Sequence, residues 1–253
     1  MKKTLTDRPL LLITNDDGVH SPGIRAIAAA LKGVGDVVVV APDREMSACG
    51  HSLSLRSSVP AEVEPGVFSL HGTPADCIDR ALRGVLPGRP DLVVAGINHG
   101  ANLGDDIFYS GTVGGAREAV FNRLPAIAVS LAARTPTDFR LAAAFTAHLA
   151  RVVLSRGLPE RTLLNVNVPP GQPMRSAFTV QGRIDRMMLG PDVGIVGSNG
   201  HGEWSREDDA SGLDEMSDVH AVRAGLISIT PLQTDTTHHR TIERFRAWDI
   251  DRA

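Results

Sequence analysis

Five short apolar runs without polar alternation constrain this chain more than any other feature: Leu10–Thr14, Val37–Ala41, Leu92–Ala95, Ala126–Leu131 and Leu163–Val168. A strand with one wet face alternates apolar and polar side chains. Runs like these are instead expected of strands buried on both faces, in a parallel sheet covered by helices. Helix signals fall between them. Ser21-Pro22 sets a capping hydroxyl before a proline at the first helical position and leads into Ile24, Ile27, Ala28 and Leu31. Thr73-Pro74-Ala75-Asp76 repeats the signal, with an acid three residues after the cap, ahead of Ile78, Ala81, Leu82 and Val85. Residues Phe139 to Leu154 carry a longer amphipathic pattern. Strands alternating with helices imply right-handed crossovers. The expected fold is therefore α/β, with three layers around a Rossmann-like, mostly parallel sheet running to about residue 170.

The remainder reads differently. From Pro169 to Val219 the chain is rich in Gly, Pro and Asp and has the period of neither element. Its acids, Asp208-Asp209, Asp214-Glu215 and Asp218, are irregularly spaced and read as a solvated surface rather than a second metal site. Gly225 to Leu232 predicts a returning strand, and Thr241 to Trp248 a C-terminal helix with His238-His239 at its solvated start. The expected organisation is one domain over residues 1–253, its core at about 8–170 and 220–233, with 171–219 and 234–253 as an arm and a C-terminal segment. Two apolar islands in the arm, Met187-Met188-Leu189 and Val193-Gly194-Ile195-Val196, are too short for a second core and suit burial against another copy of the chain.

Charge and cysteine usage exclude several classes. A formal charge of −3 without a block of Lys or Arg offers no footprint for a duplex, so polymeric nucleic acid is not an expected partner. Asp7-Arg8-Pro9 interrupts any leader, Leu10–Ile13 is too short to be one, and no run reaches membrane-spanning length, so no membrane partner is expected either. Cys49 and Cys77 lack the spacing of a disulfide framework or zinc site, which fits a reducing compartment, the cytoplasm.

Ligands of open α/β sheets bind beyond the carboxyl ends of the strands, and three of those loops are unusual here. After the first strand comes Thr14-Asn15-Asp16-Asp17-Gly18. Two neighbouring carboxylates at the mouth of a buried sheet repel, and a divalent cation is the usual remedy. The motif is short, and a loop of solvated acids capping the next helix accounts for it equally well. The second loop, Ala41 to Ser52, offers Ser47, Cys49 and His51, although an ordinary surface turn would look the same. The third, Gly96-Ile97-Asn98 to Gly104 followed by Tyr109-Ser110-Gly111-Thr112, exposes backbone amides just before the helical run Ala116 to Phe121 and could seat a phosphate at a helix N-terminus. It is neither a Walker A loop nor a dinucleotide fingerprint, and a glycine-rich crossover serving only close packing remains the alternative. Carboxylate, hydroxyl and amide oxygens suit Mg²⁺ or Mn²⁺ rather than zinc.

These motifs, with Ser21-Pro22-Gly23-Ile24, Ala41-Pro42-Asp43-Arg44, Gly72-Thr73-Pro74-Ala75-Asp76-Cys77 and Ser228-Ile229-Thr230-Pro231-Leu232, closely resemble the survival protein SurE family of nucleotidases, in order from Leu10 to about Leu232. The resemblance implies a phosphomonoesterase acting on nucleoside 5′- and 3′-monophosphates, with short polyphosphate as a further substrate. It implies one divalent cation per subunit, held by Asp16, Asp17, Ser47 and Asn98. The family's phosphate-contacting positions fall on Asn102, Ser110, Gly111 and Thr112. It further implies a homodimer or homotetramer that exchanges C-terminal segments. The mechanism expected of such a site has Asp16 or Asp17 orient or deprotonate the attacking water. The competing reading from another class is a metal-dependent nucleotide-binding regulator without turnover, which the intact ligand set disfavours.

Overall fold

The computed structural model describes residues 8–54, 58–133, 138–171, 175–182 and 217–248. In chain order the elements are β1 (Leu10–Thr14), α1 (Pro22–Leu31), β2 (Asp36–Pro42), β3 (Ala61–Glu64), β4 (Val67–Leu70), α2 (Pro74–Arg80), β5 (Leu92–His99), α3 (Gly111–Phe121), β6 (Ala126–Leu131), α4 (Arg140–Arg156), β7 (Thr162–Val168), β8 (Ser176–Phe178), α5 (Asp218–Arg223), β9 (Ile227–Gln233) and α6 (His239–Arg246). The nine strands form one sheet in the order β3-β4-β2-β1-β5-β6-β7-β9-β8. From β4 to β7 every pairing is parallel; β3 and β9 join antiparallel, and β8 runs parallel to β9.

The uniform apolar runs resolve into two faces. Leu11 and Ile13 of β1, Leu92 and Val94 of β5, and Ile127 and Val129 of β6 pack in one core with α1 and α4. Their neighbours Leu12, Val93, Ala95, Ala126 and Ala128 face the other core, built with α2 and α3. Period-two alternation therefore serves two apolar layers at once, which is why most residues of these strands are apolar. Burying these side chains on both faces contributes on the order of 1.5–3 kcal/mol for each large aliphatic residue.

The cap signals hold. Ser21 accepts from the Ile24 amide at the start of α1, and Thr73 and Asp76 form a reciprocal capping box at α2. His238 and His239 open α6 in an exposed position. Other expectations shift. Strand β5 continues four residues past Ala95 to His99, with a break in register against β6 between Ala95 and Asn98. Helix α3 starts at Gly111, not Ala116, because Ser110 caps it by accepting from the Val113 amide. The chain 169–219 does not begin as a separate arm: Ser176–Phe178 adds β8 to the sheet edge. The acid Asp218, expected at a solvated surface, is fully buried at 0 % exposure, because three backbone amides converge on its carboxylate. The islands 187–189 and 193–196 and the acids 208–215 lie outside the described residues.

The fold positions a site through its strand order. From β1 the chain winds outward through β2 to β4, then crosses back to β5 on the other side of β1. The crevice between the carboxyl ends of β1 and β5 is the topological switch point, where such sheets bind ligands.

Candidate active site

The switch point is lined by the first and third loops. Asp16 and Asp17 follow β1 in a turn closed by Asn15, whose side-chain amide donates to Gly18 O at 3.0 Å and to Ser21 Oγ at 2.8 Å. Gly18 completes the turn at φ +94°, a conformation an L side chain rarely adopts. Asn15 thus ties the acidic turn to the cap of α1, a role its place in the motif did not reveal.

The two carboxylates diverge. Asp16, 4 % exposed, turns toward the start of α3, where Thr112 Oγ1 donates to its Oδ1. Burial raises its pKa, and the Thr112 hydroxyl with the Thr112 and Gly111 amides offsets part of that rise. Asp17 turns toward β5, accepting the His99 amide at 3.2 Å on Oδ2. Burial and then the charge of Asp16, with a smaller contribution from Glu45, push its pKa up to about 7. Burial and mutual repulsion both disfavour the ionised forms of this pair.

Close approach depends on missing side chains. A Cβ on Gly111 would lie 2.8 Å from Asp16 Cβ and 2.7 Å from Cys49 Sγ, so any larger residue there would separate α3 from the acidic turn. A Cβ on Gly114 would lie 2.3 Å from Gly50 O, and the second loop packs across α3 at that point.

That loop is not an ordinary turn. The Met46 amide donates to Asp16 O at 2.7 Å and the Gly50 amide to Tyr109 O at 2.8 Å. His51 Nε2 meets Glu118 Oε2 of α3 at 2.9 Å, and Thr73 Oγ1 donates to Ser52 O at 2.7 Å. Ser47, next to Met46, is exposed and donates to Glu45 Oε1 at 2.8 Å. Asn98, on the end of β5 beside Asp17's partner His99, donates its amide to Gly100 O at 2.9 Å, which leaves its Oδ1 as the acceptor end. Cys49 is no activated nucleophile, since burial and then Asp16 push its thiol up to about 11.

The expected phosphate contacts divide. Gly111 and Thr112 sit against Asp16, while Ser110 accepts from Val113 as the α3 cap and keeps its O–H to donate. Asn102 lies in a buried network. Its amide donates to Asn167 Oδ1 at 2.8 Å, its carbonyl accepts from Asn165 Nδ2 at 2.8 Å and Asn167 Nδ2 at 2.9 Å, and its Nδ2 donates to Ser130 Oγ at 2.7 Å. Asn165 and Asn167 were hidden inside a run taken as uniformly apolar. Their signal is the alternation Asn165-Val166-Asn167-Val168, which places both amides on the α3 side of β7, away from the core that holds Val166 and Val168.

Among the described residues no cluster of three or more His, Cys, Asp or Glu side chains could hold a metal. The residues present do fit a hard cation: two carboxylates in need of positive charge, an exposed hydroxyl on Ser47 and the free amide oxygen of Asn98.

A doubly wound α/β sheet with an acidic pair at its switch point, facing a helix N-terminus, is the class this architecture defines. The chain belongs to the survival protein SurE family, whose description it matches over residues 11–187. It is 47% identical over 247 residues to the 5′-nucleotidase SurE of Geobacter metallireducens, covering 95% of this chain and 97% of that one. The 5′-nucleotidase SurE of Syntrophotalea carbinolica is 47% identical over 245 residues, covering 95% and 98%. Among solved structures, the SurE protein of Aquifex aeolicus superposes with a TM-score of 0.78 at 36% identity, over 94% of this chain and 98% of that one.

Proposed function

We propose that this chain is a divalent-cation-dependent phosphomonoesterase that hydrolyses nucleoside 5′-monophosphates, and 3′-monophosphates and short polyphosphate beside them, to release phosphate. The observation that carries this reading is the Asp16-Asp17 pair. Both acids are held toward protonation by burial, at the switch point and against the start of α3, and so call for a cation and an anionic ligand together.

Asp16, Asp17, Ser47 and Asn98 would hold one Mg²⁺ or Mn²⁺ per subunit. When bound, such a cation supplies charge neutralisation at phosphate and acidifies a water. The chain's own groups do the rest. Asp16 is committed to Thr112 and the α3 amides, which fixes its orientation. Asp17 Oδ1 has no hydrogen-bond partner among the described residues, and Asp17 takes the proton of the attacking water. The phosphate oxygens would sit at Asn102, Ser110, Gly111 and Thr112, where the Ser110 hydroxyl and the start of α3 meet the charge of the transferring group.

The chain is taken as one domain working in the cytoplasm, where the free thiols of Cys49 and Cys77 stay reduced, and as a homodimer or homotetramer associating through residues 171–219. No described helix is long and apolar enough to cross a membrane. The test is phosphate release from a panel of 5′-, 3′- and 2′-nucleotides and polyphosphate with each of several divalent metals. Release from nucleoside monophosphates supports the reading; tight nucleotide binding without release with any metal would favour a regulator instead.

A further inference from the structure

We infer that Asp218 is a positioning residue for the active site, acting through the Gly104 amide. This rests on the phosphatase reading above. Asp218 lies outside every site motif, yet its side chain is fully buried. Its two carboxylate oxygens have separate partners. Oδ1 accepts the amides of Gly182 and Val219, each at 2.8 Å, and Oδ2 accepts the amide of Gly104 at 3.0 Å.

The Oδ1 bonds close local structure. Val180 pairs with Ser217 in a parallel bridge, the Asp218 amide donates to Val180 O at 2.9 Å, and Ser217 caps α5. The Oδ2 bond reaches 114 residues back along the chain. Gly104 opens the single helical turn Gly104–Phe108 that leads to Tyr109 and the α3 cap Ser110. It also follows Asn102 by two residues. The network of Ser130 on β6 with Asn165 and Asn167 on β7 therefore pins Asn102, while Asp218 pins the chain just beyond it. Gln181 Nε2 adds a contact from the same segment to Asp105 Oδ1 at 3.2 Å. The path from Asn102 to Ser110 is thus held at its start by two anchors, the buried network at Asn102 and the carboxylate of Asp218, at the start of α5, on Gly104. Phosphate contacts separated by such a turn keep their spacing only while the turn is held.

The two oxygens make the test selective. Asp218→Asn can keep an acceptor for Gly182 and Val219 but places an NH₂ group where Gly104 needs one. With adenosine 5′-monophosphate and Mn²⁺, KM is expected to rise about fivefold or more, and the Mn²⁺ concentration for half-activation to change less than about twofold. Amide exchange at residues 103–106 should quicken about tenfold while that of β1 is unchanged. Both changes are required. An unchanged KM, unchanged exchange, or a loss confined to kcat as from a smaller folded fraction overturns the inference. If Asp218→Asn does not fold, Asp218→Ser, whose hydroxyl is too short to reach Gly104, is read by the same two measurements. A wild-type chain that releases no phosphate would remove the phosphatase reading alone; the exchange comparison would then decide whether Asp218 holds Gly104.

Discussion

The hydroxyl of Thr112, in the first turn of α3, donates to the carboxylate of Asp16, at the end of β1. Both side chains are buried, so this bond joins the acidic turn to the helix that faces it. Thr112→Val keeps the shape and removes the donor. Leaving a buried acceptor unpartnered costs about 1–3 kcal/mol. The variant is expected to fold, with a lower thermal midpoint and at least about tenfold lower kcat/KM in phosphate release. Activity within twofold of wild type would remove this bond from the working site.

Asp16→Asn and Asp17→Asn should each abolish turnover and leave the fold intact, since neither side chain belongs to the two apolar cores. Phosphate release and circular dichroism read the two halves of that expectation. Near-normal turnover in either variant would sink the assignment of the pair.

The acidic pair should also make the metal-free protein sensitive to pH. The folded-state pKa of Asp17, about 7, lies above its ordinary value of 3.8, so the folded chain binds this proton more tightly than the unfolded one. Stability from this group is therefore full below about pH 4 and lost as pH rises through 7, with a span on the order of 4 kcal/mol. Asp16 shifts in the same direction. With metal removed, wild type should melt at a lower temperature at pH 8 than at pH 5.5, and Asp17→Asn should show a smaller difference. An Asp17→Asn protein that kept the full wild-type difference would show that the pH effect arises at another group.

Much of the fold was legible in the chain. The runs Leu10–Thr14 and Ala126–Leu131 are strands at the same bounds, because strands covered on both faces leave a mostly apolar signature without regular alternation. Edge elements left weaker traces. Strand β3 is exposed at all four positions and β8 has only three residues, so neither carries the pattern of a buried strand. At the site, the carboxylates and glycines are legible because their chemistry is local. Asn165, Asn167 and Asp218 are not, because each acts on a loop more than sixty residues away in sequence, and a buried polar residue reads like a surface one until its partner is known.

Chelation offers a direct check on the donor set. Treatment with EDTA should silence phosphate release, and Mn²⁺ or Mg²⁺ should restore it, as oxygen ligands require. Full activity in chelator-treated protein, freed of metal by elemental analysis, would exclude the cation.

Among the described residues the sheet ends in β3 on one side and β8 on the other, and an edge strand offers unpaired backbone groups to any passing strand. On β3 the register slips between Glu62 and Glu64, and both carboxylates are exposed. Two copies docking there edge to edge would bring like charges together across an irregular ladder. The opposite edge, β8, offers three residues, too few to template a fibril. The sheet that carries the cleft is thereby guarded against runaway polymerisation at both margins, and its solubility at high concentration should depend on Glu62 and Glu64 more than on any residue of the core.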